Sequence, residues 1–486
     1  MLESRMREMI KHAEDVKDII EKIDNGKLLE VEPLERIMVD EKMMKIEKAY
    51  YPQKAERKRF VKEAHRLIDK WIPELHVFQQ WNSFTPILSD THIPSHGGGY
   101  FLYTGVYGIA IDPGFNFIQN LQESGKFFFN HIDAILITHA HNDHMADLES
   151  LLSLLHDYNE EEIKGEALTE EKKRTIYNKT YWDQPYLSKD EFKKEVENRF
   201  KYSPRRKRIE IFLTASAFRR CNYLKLERDY ECHIEVVDTY GSGIKAYKLN
   251  NSVLIHPIRA KHNDLVSDYH CAGFLFLFQP PGEHTGAEDT ALLYTGDTGF
   301  DEEIRTVYDS IRTNLEGKKI FLLAHIGGFK RHEEEYFTDE DDTSKAYYKY
   351  HLGRIGLSRL VETVKPDVVL LSEFGEEFRN GCRSQLVDLY QLHYKAIGTV
   401  FLPMDNGFCM RLRDGKVEAI CSDPSKVEDK TKALAFIPYK DVGYRELSHE
   451  QGYQLCYIRK GSNLDQILQA SAVVLRDYRI KALRDG

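Results

Sequence analysis

A short apolar run, Ile135-Leu136-Ile137-Thr138, feeds directly into His139-Ala140-His141-Asn142-Asp143-His144. An apolar run that stops at a polar loop reads as a buried strand. In layered α/β sheets the crevice beyond a strand's carboxyl end is where ligands sit. Three imidazoles and a carboxylate packed this closely suit two neighbouring divalent ions. Imidazole favours zinc, iron and nickel-like metals, and the carboxylate adds a hard oxygen donor. The same side chains would serve poorly as packing on a loop.

Three further segments share this form. Ile109-Ala110-Ile111-Asp112-Pro113-Gly114 ends a strand in an acid and a turn, and Ile258-Arg259-Ala260-Lys261-His262 ends one at a histidine. Leu292-Leu293-Tyr294-Thr295-Gly296-Asp297-Thr298-Gly299 delivers a carboxylate between glycines. Singly each is weak, because an Asp after a strand is most often a turn former. Together and in this order they point to one site. Other strand-like runs (Tyr100–Tyr103, Ile209–Leu213, Ser252–Ile258, Phe274–Phe278, Ile320–Leu323, Val368–Leu371, Val400–Leu402) alternate with helical patterns such as Asp143–Leu155 and Leu357–Val364. That alternation predicts an α/β architecture with helices covering the sheets.

On Ile111-Asp112-Pro113-Gly114, His139-Ala140-His141-Asn142-Asp143-His144, His262 and Gly296-Asp297-Thr298, the sequence resembles the metallo-β-lactamase superfamily. The resemblance spans roughly residues 77–420, and Gly97-Gly98-Gly99 before a strand fits it as well. It implies a four-layer αββα sandwich with a metal site at one sheet edge. Carried over, His139, His141 and His262 would hold a first ion, Asp143 and His144 a second, and Asp297 would bridge them. Asp112 would orient the histidine loop. The two cofactor ions would be zinc first, with manganese or iron as alternatives.

The family's last ligand is normally a histidine after a late strand, and here the chain departs from it. The strand Val368–Leu371 leads instead to Ser372-Glu373-Phe374-Gly375, which makes Glu373 the expected ligand, with His325 or His351 as alternatives. A carboxylate there would make the second site oxygen-rich and tilt it toward manganese or iron. His325 follows a strand, and His351 precedes the helix leading to Val368. It resembles the histidine that RNA-processing members of the superfamily carry before their last ligand. Either could donate a proton to substrate, or be structural. His96, His156, His256, His270 and His284 read as structural or surface residues. The Gly97–Gly99 run is expected to be a turn between strands, since no G-x-S-x-G elbow accompanies it, and no Walker-type phosphate loop is present.

The flanks suggest three regions. Residues 1–76 carry a helical apolar stripe from Leu2 to Ile23, a stop at Asn25-Gly26, and a further inner face from Phe60 to Trp71. They predict a helical N-terminal arm that could mediate homo-oligomerisation. Residues 158–206 are a charged insertion in the 77–420 catalytic domain, and 421–486 a tail with a helix around Leu464–Leu475. Seven scattered cysteines without a C-x-x-C pair argue against disulfide frameworks and zinc ribbons. Acidic residues exceed basic ones, 78 to 68, so nucleic-acid binding would need a local basic surface. No run is long and apolar enough to span a membrane, and the start lacks a signal-peptide block, so a cytoplasmic location is expected.

Function then reads as metal-dependent hydrolysis by a metal-bridging hydroxide, with Asp143, His325 and His351 as candidate catalytic groups. Lys261, Lys330, Arg331 and Arg354 near the loops favour a small anionic substrate or nucleic acid, such as a phosphodiester or nucleotide. The alternatives are ester, lactone or amide hydrolysis, or a metal-binding subunit of a larger assembly.

Overall fold

The structure, a computed structural model, describes residues 71–81, 97–165, 207–221, 232–239, 245–249, 253–264, 266, 270–279, 289–328, 333, 350–375, 378, 381–420, 434–449 and 452–462. The predicted helices before Trp71, most of the insertion, the C-terminal helical pattern, and Lys330 and Arg331 lie outside the described residues.

In chain order the elements begin with strands β1 (Glu74–Gln79), β2 (Gly97–Tyr103) and β3 (Gly108–Ile111), helix α1 (Phe117–Glu123) and strand β4 (Ala134–Ile137). Helices α2 (Asn142–Met145) and α3 (Leu148–Gly165) follow, then β5 (Ile209–Thr214), α4 (Ala215–Cys221) and β6 (Cys232–Val237). Next come β7 (Tyr247–Leu249), β8 (Val253–Ala260), β9 (Cys271–Phe278), β10 (Thr290–Tyr294), α5 (Glu302–Asn314) and β11 (Lys319–His325). The remainder is α6 (Arg354–Val364), β12 (Val368–Ser372), α7 (Arg383–His393), β13 (Val400–Pro403), β14 (Cys409–Arg411), β15 (Lys416–Ile420), β16 (Leu434–Pro438), β17 (Val442–His449) and β18 (Gly452–Arg459).

Among the described residues the strands form two sheets. One runs β17-β18-β15-β14-β1-β2-β3-β4-β5-β6 with β16 beside β15, and the other runs β13-β12-β11-β10-β9-β8-β7. Each joins an antiparallel meander to a parallel section, β3 to β6 in the first and β10 to β13 in the second.

The alternation of side chains along a strand explains the layering. Leu292, Tyr294, Phe321, Leu323, Val368 and Leu370 of the second sheet join Leu75, Val77, Tyr100, Leu102, Ile109 and Leu136 of the first in one core between the sheets. The intervening Ala291, Leu293, Ile320, Leu322, Val369 and Leu371 face Ile304 and Tyr308 of α5, Leu357 and Val361 of α6, and Val387 of α7. Strands covered on both faces need continuous apolar runs, as in Ile135–Ile137 and Val368–Leu371. Each such side chain removed from water contributes about 1.5–3 kcal/mol.

Four expectations change. Trp71 lies outside any helix and meets Phe278 edge-on at 6.2 Å, because the chain is already extended as it approaches β1. The Gly97–Gly99 run is the start of β2 rather than a turn; a side chain at Gly98 would collide with the Phe78 carbonyl. Residues 158–165 continue α3 instead of opening the insertion. Residues 434–459 are strands and not a tail, with Ile437, Val442, Leu455 and Tyr457 entering the core between the sheets. Arg383 of α7 helps fasten this extension, pairing with Glu446 of β17 at 2.6 Å and Asp405 at 3.1 Å while its guanidinium lies over Trp81.

Candidate metal centre

Strand ends bring the predicted residues together. His139, His141, Asp143 and His144 follow β4, His262 follows β8, Asp297 follows β10, His325 ends β11 and Glu373 follows β12. Glycines permit the close approach. A side chain at Gly114 would collide with the Asp143 carbonyl, and Gly296, at φ +56°, lies against Ala272 and Thr138. Asp112 and Glu373 are themselves left-handed, at φ 47° and 55°. Such conformations cost of order 1–3 kcal/mol each and persist only where surrounding contacts hold them.

Those contacts are on hand. Asp112 accepts hydrogen bonds from the Thr138 amide (2.8 Å), the Thr138 hydroxyl (2.7 Å), the Tyr294 hydroxyl (2.5 Å) and His144 Nδ1 (3.0 Å). Gln79 donates to Glu373 Oε1 at 2.5 Å. Asp264 accepts from the Ala140 amide at 3.0 Å and from the Ser216 hydroxyl, and Arg220 donates to the Ala140 carbonyl and the Asn142 side chain.

The network also fixes tautomers. His262 Nδ1 donates to the Tyr350 carbonyl at 2.9 Å, His144 Nδ1 donates to Asp112, and His139 Nδ1 lies 3.0 Å from a Thr138 oxygen whose proton already goes to Asp112. His139 and His262 therefore turn an unprotonated Nε2 inward, and His144 turns its Nε2 toward the carboxylates. His139 Nε2 and His262 Nε2 lie 3.0 and 3.1 Å from His141 Nδ1, which can donate to only one of them. Asp297 Oδ2 stands 3.7 Å from His139 Nε2 and 3.8 Å from His262 Nε2.

Beside this set, buried His144 Nε2 makes no hydrogen bond. It lies 3.3 Å from Glu373, 3.5 Å from Asp297 and 3.6 Å from Asp143. The donor atoms fall into overlapping groups, each within 4.8 Å: His139, His141, His262 and Asp297; Asp143, His144 and Glu373; Asp297, His325 and Glu373.

Electrostatics agree. Burial holds His139 and His141 below the ordinary histidine range and lowers His262 to about 4, leaving their rings neutral. Burial also pushes Asp143 up to about 6. Burial opposes charge on His144, yet Glu373, Asp143 and Asp297 outweigh it and raise that ring. Converging lone pairs next to buried carboxylates are costly unless a cation lies among them. The residues present fit a pair of divalent ions.

The structure separates the two candidate proton donors. His325 is buried, its Nε2 is 2.8 Å from the Tyr100 hydroxyl, and its Nδ1 meets Asp297 at 2.9 Å and Glu373. Burial opposes its charge, but those carboxylates raise it to about 9. Both nitrogens are engaged by buried groups, and its donor atom lies within 4.8 Å of those of Asp297 and Glu373. His351 is half-buried at the rim, its Nδ1 3.8 Å from Asp297 and its ring 4.7 Å from that of His262. Lys261 is paired with Asp301, so it is not a spare cation for substrate. His156 is exposed, while His256 and His270 are half-buried.

Sequence reasoning passed over Gln79, Tyr100, Asp264 and Tyr294. Tyrosines inside apolar strands read as core; the signal available was a polar tip on a strand that leads toward the site, with Tyr294 closing β10 just before Asp297.

Residues 107–176 match the family described as "Beta-lactamase superfamily domain", a segment holding Asp112 and the whole histidine loop. The match assigns that segment, and no more of the chain, to this family. The two-sheet, helix-covered sandwich with its site at the strand ends agrees with that assignment. The match leaves activity and substrate open. Solved structures of similar shape include the metallo-β-lactamase fold protein YhfI from Bacillus subtilis, at 13% identity, 70% of this chain, 99% of that one and TM-score 0.42. A diphosphatase of the PhnP family (14% identity, 70% and 97%, TM-score 0.39) and the short form of human tRNase Z (12%, 70% and 99%, TM-score 0.39) are others. At these values the likeness carries no argument about activity. No curated protein matches the chain. Among the described residues, no helix is long and apolar enough to cross a membrane.

Proposed function

We propose that the protein hydrolyses a phosphodiester or nucleotide-type anionic substrate with two divalent ions. His139, His141 and His262 would hold the first ion, and Asp143, His144 and Glu373 the second. Asp297 lies between them, and His325 braces Asp297 and Glu373. The observation that carries the reading is the inward convergence of ring nitrogens and buried carboxylates on two adjoining points. Paired ions about 3.5–4 Å apart, when bound, would acidify water and clamp the oxygens of an in-line phosphoryl displacement.

The chain's own groups supply the rest. Asp143, near-fully buried beside His144, can orient the attacking water and take up its proton on a carboxylate oxygen. His351, the half-buried ring at the rim, can hand a proton from a ring nitrogen to the leaving group. Asp112, Gln79 and Asp264 keep the donors from collapsing on one another. Three carboxylates and one imidazole make the second position harder than the first, which favours manganese or iron there beside zinc.

The test is hydrolysis of bis(p-nitrophenyl) phosphate against p-nitrophenyl acetate by metal-loaded protein. Phosphodiester turnover that vanishes in Asp143→Ala and His144→Ala supports the reading. Turnover of the acetate alone would replace it with ester hydrolysis, and a loaded protein inert to both would favour a role as a binding subunit.

A further inference from the structure

A second cluster of metal-donor side chains lies in the first sheet and shares no residue with the centre described above. Glu74 and His76 are two residues apart on β1, so their side chains leave the same face, opposite to core-facing Leu75 and Val77. Strand β14 runs antiparallel to β1 and sets Cys409 directly across from His76. His76 Nε2 lies 3.3 Å from Glu74 Oε2 and 3.6 Å from Cys409 Sγ. The three donor atoms fall within 4.8 Å of one another. His76 and Cys409 are buried, Glu74 is half-buried, and Phe127 stands edge-on to the imidazole at 4.6 Å.

A thiol, an imidazole and an acid invite comparison with a catalytic relay, but the geometry excludes one. A relay places the acid on one ring nitrogen and the nucleophile on the other. Here both meet Nε2. Sulfur, nitrogen and oxygen atoms gathered within 4.8 Å of one another form instead the mixed donor set of a borderline-soft divalent ion. The nearby cations have partners: Lys126 pairs with Glu418 at 2.5 Å, and Arg411 takes Glu74 Oε1 at 2.9 Å, leaving Oε2 for the cluster.

We propose that Glu74, His76 and Cys409 form a further divalent-metal site, of zinc-like preference, clamping β1 to β14. Its fourth position faces the half-buried Glu74 side and suits a water. The clamp would steady the strand that also delivers Gln79 to Glu373.

Cobalt titration of the full-length protein after chelator treatment tests this, because thiolate-bound Co2+ absorbs in the near ultraviolet by charge transfer. The wild type is expected to show that band and to bind one ion more per chain than Cys409→Ser or His76→Gln. Cys271→Ser, which removes the thiol next to His262, is expected to keep the band. Glu74→Gln, a mild change at the half-buried corner, is expected to weaken the cobalt responsible for the band at least tenfold. A wild type lacking the band, or a band that survives in folded Cys409→Ser, overturns the proposal.

Discussion

His144 Nδ1 lies 3.0 Å from Asp112 Oδ2, and this contact decides which nitrogen of His144 faces the centre. Asp112 accepts three other hydrogen bonds at the same time, so one carboxylate sets the ring, the histidine loop and Tyr294 together. Asp112→Asn keeps a residue that tolerates φ of 47° but trades an acceptor oxygen for a donor. Its expected effect is a loss of metal affinity of about 10–100-fold with the fold retained. Asp112→Ala strands several buried donors, each costing about 1–3 kcal/mol. Metal titration beside thermal melting separates the two, and an Asp112→Asn variant with wild-type affinity would contradict the role.

Glu373→Gln tests the departure from the family's usual histidine. It is expected to bind one ion fewer per chain than the wild type, as Asp143→Ala and His144→Ala do, while the ion of the three-histidine set remains. Elemental analysis after equilibrium dialysis gives the count. Unchanged occupancy in Glu373→Gln would leave Asp143, His144 and Asp297, with His325, as the donors.

Much of the centre was legible because its side chains cluster in short motifs at strand ends, where apolar runs give way to His139–His144, His262, Asp297 and Glu373. What holds them was not. Tyr100 and Tyr294 sit in apolar strands, and Gln79 reaches Glu373 across 294 residues of chain, so only the packed fold shows their polar ends. The β17–β18 extension was hidden for a similar reason. Its core-facing Leu455 and Tyr457 alternate over only a short span, too short to mark a buried strand.

His351 is the candidate proton donor, and two substitutions reach it differently. His351→Gln is expected to lower phosphodiester turnover by about 10²–10⁴-fold with metal content unchanged. Gly327→Ala is expected to act in the same direction, since a methyl there would stand 2.6 Å from His351 Cβ and displace the ring. Steady-state kinetics alongside a metal count checks both. Full turnover in His351→Gln would remove the ring from the reaction.

Arg383→Met probes how firmly the C-terminal strands belong to the domain. The side chain is fully buried between Asp405 and Glu446, so its loss leaves carboxylates uncompensated, at a cost of about 3–5 kcal/mol. Chemical denaturation reads that cost. A change below about 1 kcal/mol would place the pairs among those that contribute little.

Anomalous diffraction from crystals soaked in Zn2+ or Mn2+ addresses the whole account. Two peaks are expected in this centre, separate from any at Glu74, His76 and Cys409: one amid His139, His141 and His262 and the other amid Asp143, His144 and Glu373, with Asp297 within reach of both. Absence of a peak at both positions, under conditions where the ions saturate the protein, would contradict the metal centre and the hydrolytic chemistry built on it.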